Sequence, residues 1–381
     1  MLQIFLRVVS PLIGVILLPK VLGINAYSDF LLQYYLFLSV LGIAYAPMEQ
    51  VLISSKKSNR YYEMVLIGCS LIFFITLFVY SIYVLLNHFH DLKWKIDSFQ
   101  FFCLLAATFT YISSFSKLAR VDFYYRYSDA ISQISIIVFT IAFIDLIGEK
   151  KTIFPIIYFA IYLSYFFIFR LYYLIQKTKI KRNLHRNLFI YKYFYSINYL
   201  STLVNSIIKR SDSIVLFYFF SNSNENVILY RFIRSIFSVG GIFSSLRSQD
   251  YWLGYSESWD LKRFNMFFEV FLVSFVILVT VIIYSLLTFS TYHLDFIELV
   301  IVVSCVFSIF YQFDNVRYFI DTYKRREYKI INIGAFLSII FFVLILCLIC
   351  VGFLDSPYYI LVLIFLPQLL NAFVLKNFKR A

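Results

Sequence analysis

Five charged side chains stand close together in a part of the chain that is otherwise apolar. Lys209, Arg210 and Asp212 lie in NSIIKRSDSIVLFYFF, and Arg231 and Arg234 lie in ENVILYRFIRSIFSVGG. Arg231 and Arg234 are three residues apart, so a helix puts them on one face. Asp212 follows Lys209 by three, within one helical turn, and is placed to pair with it. Four cations against one carboxylate leave an excess of three positive charges. In a low-dielectric cavity such an excess calls for an anionic visitor, and a pair of guanidinium forks suits a phosphate or pyrophosphate. Lys209, Arg210, Arg231 and Arg234 are therefore the candidate anion-binding residues. Asp212 is the candidate for charge balance or for taking up a coupling proton or sodium ion. The competing reading is structural: Arg231 reaches to the outer surface and Lys209 with Asp212 forms a pair.

The elements that must position these residues follow from composition. Of 381 residues, 61% are apolar, 22% aromatic and only 14% charged. A soluble domain carries about a quarter charged residues, so an ordinary soluble protein is excluded and the bilayer is the solvent that fits. At about 20 apolar residues per crossing the chain holds twelve spans with short connections. Apolar runs bounded by charge or turn residues predict spans over 2–23, 26–53, 61–87, 98–118, 127–147 and 153–175, then 188–220, 226–247, 263–289, 294–316, 328–352 and 356–376. The first apolar segment runs into the second through Gly23 to Ser28 without a small-residue cleavage pattern, so it reads as a retained span.

The net charge of +13 comes from 34 basic and 21 acidic residues. In a soluble protein that balance suggests nucleic acid; here the placement of the cations explains it without a nucleic-acid partner. With the N-terminus in the cytoplasm, twenty-three basic residues fall in the inner loops and the C-terminal tail, among them Lys56, Lys57, Arg60, Lys324, Arg325 and Arg326. The outer loops hold five, Lys20, Lys93, Lys95, Lys150 and Lys151. This asymmetry orients both termini inward. On that orientation Lys209 and Arg210 lie about 15 Å below the outer end of their span, and Arg231 and Arg234 at about 8 to 12 Å.

The longest basic stretch, QKTKIKRNLHRN over Gln176 to Asn187, reads as a cytoplasmic linker. It divides the chain into a six-helix bundle over 1–176, the linker over 177–187 and a second bundle over 188–381. Sliding the sequence against itself by 199 residues supports the division. Ser39, Val40, Gly42, Ile43 and Gln50 then fall on Ser238, Val239, Gly241, Ile242 and Gln249. At the same offset Asp122, Tyr124 and Arg126 fall on Asp321, Tyr323 and Arg325. Six spans per half send both halves into the membrane in the same direction, related by a pseudo-twofold axis along its normal, with a path between them. The expected architecture is all-α and integral to the membrane: twelve transmembrane helices in two six-helix bundles. Rocking of one bundle against the other favours a transporter over an enzyme.

The remaining polar residues give weaker signals. Asp145, Glu298, Glu49, Glu269 and Asp314 stand near span ends and read as interfacial. All four histidines fall in loops. Arg170, close to the inner end of its span, is expected to snorkel to the surface. Cys69, Cys103, Cys305, Cys347 and Cys350 lie in apolar stretches and read as packing residues, with no disulfide framework and no metal site. Pro11, Gly14 and Pro19 interrupt the first span and make it a candidate for bending.

Two stretches carry a family resemblance. SPLIGVILLPKVLGINAYSDFLLQYYLFLSVLG, Ser10 to Gly42, resembles the opening of the polysaccharide-unit flippases, in which a span ending in proline and LG leads by a short turn into the next. KRSDSIVLFYFFSNSNENVILYRFIRSI, Lys209 to Ile236, resembles the start of that family's second half, with Asp212 before an apolar run and Tyr230 after a turn. Ile228 and Leu229 stand where the family has a glycine before the tyrosine. The resemblance implies a twelve-span flippase of the multidrug/oligosaccharidyl-lipid/polysaccharide exporter superfamily. It implies an undecaprenyl-diphosphate-linked oligosaccharide as cargo, turned across the bacterial inner membrane for O-antigen or capsule synthesis. Cationic residues of a central cavity would hold the diphosphate, and no cofactor beyond a coupling proton or sodium ion is implied. The implied partners are the lipid-linked substrate, the bilayer and contacts with a polysaccharide polymerase and glycosyltransferases, and one chain suffices. The rivals are a multidrug or metabolite exporter of the same superfamily and an integral membrane polymerase. The positive cluster argues against the first, the short outer loops against the second.

Overall fold

The computed structural model describes residues 14, 17–55, 61–89, 98–116, 123–143, 150–177, 199–220, 224, 227, 228, 230, 231, 234, 328–352 and 359–378. Among them all secondary structure is helical. Helix α1 spans Ile24–Ser55, α2 Tyr61–Phe89, α3 Ser98–Ser116 and α4 Phe123–Phe143. Helix α5, Lys150–Tyr165, continues through a π-helical turn at Phe166–Leu171 into α6, Tyr172–Lys177. Helix α7 spans Tyr199–Phe220, α8 Tyr328–Cys350 and α9 Tyr359–Phe378. Four of these helices are long and apolar enough to cross a membrane, within Ile24–Glu49, Tyr61–Ile82, Ser98–Ser116 and Ile333–Cys350. Helix α7 has comparable length and carries Lys209, Arg210 and Asp212 at its middle. The predicted spans over 263–289 and 294–316 lie outside the described residues, as do most of 2–23 and 226–247.

The chain divides into two compact units, Met1–Leu229 and Tyr230–Ala381. In the first, α3 is the central element, against α1 on one side, α2 and α5 on others, and the π-turn at one end. Its small residues explain the place: Ala106, Ala107 and Cys103 are fully buried and let neighbouring backbones approach closely. Aromatic rings join α1 to α5, with Phe30 edge-on to Phe154 at 4.5 Å between centroids and Tyr34 tilted against Tyr158 at 5.0 Å. The Tyr34 hydroxyl donates to Thr110 Oγ1 on α3 at 3.1 Å. The Gln133 amide of α4 donates to the Tyr162 hydroxyl of α5 at 2.8 Å. Helix α7 lies along α1, so the packing boundary falls after α7 and later than the basic linker, most of which lies outside the described residues.

Opposite the packed faces the helices present bare hydrocarbon. On α4 the stripe Ile131, Ile134, Val138 and Ile141 is exposed, at the three- and four-residue spacing of one helix face. Helix α2 does the same with Phe74, Phe78, Ile82 and Leu85, and α8 with Phe336, Ile340, Val343 and Leu344. Apolar stripes of this length exposed on several helices are what a hydrocarbon solvent permits and water does not. The free thiols of Cys347 and Cys350 are exposed on α8, while Cys69 and Cys103 are buried.

In the second unit α8 packs on α9, and the Ser338 hydroxyl donates to the Pro367 carbonyl across the seam at 2.9 Å. Helix α8 ends at Gly352, whose φ of 78° is accessible to glycine without steric cost. The junction before α1 is made the same way, with Gly23 at φ 89° and the Tyr27 amide donating to its carbonyl at 3.1 Å.

The helix that holds the predicted span 127–147 is described over Phe123–Phe143, and residues 144–147 lie outside the described residues. One sequence expectation changes. Arg170 does not snorkel: it is 2% exposed, inside the bundle. Arg170 lies in the π-turn, where an i→i+5 step shifts the helical phase, and that turn packs against α3 and α4.

Candidate functional site

Helix α7 sorts its residues by face. Ile208, Ser211, Asp212, Val215 and Leu216 are buried, while Lys209, Tyr218 and Phe219 are exposed. Adjacent residues point about 100° apart on a helix, so Lys209 and Arg210 cannot share a direction. Arg210 turns inward to α1. Its guanidinium occupies the space that a Cβ at position 42 would fill, lying against the backbone of Gly42. Arg210 Nη1 donates to the Leu38 carbonyl at 3.5 Å, one turn earlier on α1. The same guanidinium stands 5.6 Å from the centroid of the Tyr111 ring on α3, within cation–π range.

The chain of contacts continues towards α1. The Tyr111 hydroxyl donates to Glu49 Oε1 at 2.6 Å, a short bond of the kind formed to a carboxylate. Tyr111 is buried and its ring also tilts against Tyr45 at 6.0 Å. The Tyr45 hydroxyl in turn shares a hydrogen bond with Thr76 of α2 at 3.2 Å. Arg210, Tyr111 and Glu49 thus form one polar line between α7, α3 and α1, in a region where apolar side chains surround it. Lys209, next to Arg210 in sequence, is exposed on the outward face of α7.

The predicted residues are distributed as follows. Arg210 and Lys209 sit together on α7, one facing α1 and one facing outward. Asp212 is 3% exposed and accepts from the Ser213 hydroxyl at 3.3 Å. Arg231 and Arg234 belong to the second unit. Arg231 is 4% exposed, with its guanidinium 5.7 Å from the Tyr230 ring centroid. That burial removes the reading in which Arg231 reaches to the outer surface. Arg234 is partly buried.

Sequence reasoning did not select Gly42, Tyr111 or Arg170, and it read Glu49 as interfacial. Gly42 had a signal, since it matches Gly241 at the repeat offset of 199. Tyr111 had none, being one of 33 tyrosines whose partner comes from a helix over sixty residues away. Compared with known protein families, with curated proteins and with solved structures, the chain matches none.

Proposed function

We propose that this chain is a flippase of the bacterial cytoplasmic membrane that turns a polyprenyl-diphosphate-linked oligosaccharide from the inner to the outer leaflet. The observation that carries the reading is the Arg210 guanidinium, held at the middle of helix α7 by a glycine seat and a tyrosine ring. An ionised group placed there costs a few kcal/mol in lipid and is kept where it serves a pathway. Lys209, next to it in sequence, adds a second cation on the same helix.

On this reading the diphosphate is the handle. It exchanges its hydration shell for charge-assisted hydrogen bonds from Arg210, while the polyprenyl tail remains in lipid; Lys209, Arg231 and Arg234 are the further cations proposed to draw the anion. Asp212 balances the charge or takes up the coupling proton or sodium ion. The two halves, 1–176 and 188–381, rock about the bound headgroup and open its path to one side and then the other. The twelve-helix architecture and the inward placement of both termini belong to the same proposal, as do contacts with a polymerase and glycosyltransferases. A drug exporter of the same superfamily would have to carry cationic or neutral compounds past this cluster, against its potential.

The test has two arms. Single Arg210→Ala, Lys209→Ala, Arg231→Ala and Arg234→Ala variants, and their combination, are assayed for surface glycan in a flippase-deficient strain. Arg210→Ala and the combination are expected to lose export, with Arg210→Lys intermediate because charge is kept and the bidentate geometry lost. In detergent, a short-chain polyprenyl diphosphate is expected to raise the melting temperature of the parent and not of the combined variant, while the free alcohol does neither. Normal export by every variant, or stabilisation by the alcohol alone, overturns the reading.

A further inference from the structure

Asn25 stands at the start of α1, directly after the turn at Gly23. The Asn224 amide nitrogen donates to the Asn25 side-chain oxygen at 2.8 Å, and the pair is exposed. The two residues are 199 apart, the offset at which the first half of the sequence falls on the second. They are therefore the same position of the repeat, occupied by the same residue, in contact with itself.

That coincidence has a geometric meaning. When a twofold operation relates two halves, a contact between residue i of one and j of the other implies a second contact between j and i. Equivalent residues touch each other only where they lie against the axis. The residue type fits the place. A self-contact across an axis needs a side chain that donates and accepts at once, which an amide does and a lysine or a carboxylate does not.

The register along α1 says how far this point is from the cationic seat. Asn25 precedes Gly42 by seventeen residues, about 25 Å of helix, and Asn224 lies four residues past the end of α7 at Phe220. The two stretches run antiparallel, pinned together at one end by the amide pair and at the other by Arg210 on Gly42. On the orientation set by the basic loops, the amide pair is the outer end.

We propose that Asn25 and Asn224 form a latch on the pseudo-twofold axis that shuts the outer mouth of the path to Arg210 and parts when cargo leaves to the outer leaflet. The proposal rests on the flippase reading and on the repeat. One amide bond at an exposed site biases a two-state equilibrium by about fivefold. That is enough to favour the shut state and small enough to yield to a bound headgroup.

The test uses the full chain with its five native cysteines replaced and a protease site inserted between residues 178 and 187. In membranes, Asn25→Cys with Asn224→Cys is expected to cross-link under mild oxidant, so that the two cleaved pieces stay joined until reduced. A separate reporter, Leu38→Cys beside the Arg210 guanidinium, is labelled by a membrane-impermeant maleimide applied from outside. Asn25→Ala with Asn224→Ala is expected to raise that labelling about fivefold. Asn25→Asp with Asn224→Asp is expected to raise it further by repulsion. An Asp/Lys pair is expected to restore the parent value in either order, because the axis makes the positions equivalent. Absence of the cross-link, or labelling that does not change with the amides, overturns the latch. The labelling arm does not depend on cargo: if it responds while Arg210→Ala exports glycan normally, the latch stands and the flippase reading falls.

Discussion

Gly42 is the residue on which the cationic seat depends. Any side chain there collides with the Arg210 guanidinium, which must leave or push α1 from α7. Gly42→Ala is expected to cut glycan export several-fold and to lower the melting temperature in detergent. In an Arg210→Ala background the same substitution is expected to do little, since the obstructed group is gone, and a double-mutant cycle measures that coupling. Tyr111 performs two tasks that substitution separates. Tyr111→Phe keeps the ring under Arg210 and removes the bond to Glu49, at an expected cost of about 2 kcal/mol in unfolding free energy. Tyr111→Leu removes both and is expected to lower export as well, which the Phe variant does not.

At the scale of elements, the π-turn at Phe166–Leu171 has the clearest consequence. It carries a buried arginine into a bundle whose neighbouring positions are apolar. Deleting the exposed Phe167 is expected to return the segment to α-helical phase and swing Arg170 away, lowering the melting temperature by several degrees. Arg170→Met, close in length and without charge, is expected to be tolerated better than Arg170→Ala, which leaves a void. In the second unit, Ser338→Ala removes a donor to the Pro367 carbonyl and is expected to cost about 0.6 kcal/mol, the usual value of such bonds between membrane helices. Among the described residues the starts of α2, α3 and α8 were legible, because runs of apolar residues between charges set them. Phase was not. A π-turn needs no special composition, so FFIFRL reads as ordinary helix until the backbone is seen.

For the molecule as a whole, the basic loops and the apolar stripes make one argument in two directions. The stripes on α2, α4 and α8 expose hydrocarbon sideways, and in the proposed orientation the loops rich in lysine and arginine lie inside. A reporter active only outside the cytoplasm is expected to be silent when fused after Ala381 and active when inserted near Lys93. Activity at Ala381 reverses the orientation. The apolar helices and the place of Arg210 within one helix were legible because charge among apolar residues is conspicuous. The company Arg210 keeps was not, because Gly42, Tyr111 and Glu49 come from two other helices and join it only through packing.

Helix α7 is attached to α1 by packing, yet twenty-one residues, 178–198, separate it from the end of α6 at Lys177. The arginine seat is thus composed of two segments far apart in sequence, α7 supplying the guanidinium and α1 the glycine. Two halves of the chain made as separate pieces, divided between residues 178 and 187, should therefore rebuild the seat when produced together, and should fail to do so when one piece carries Arg210→Ala or the other Gly42→Val.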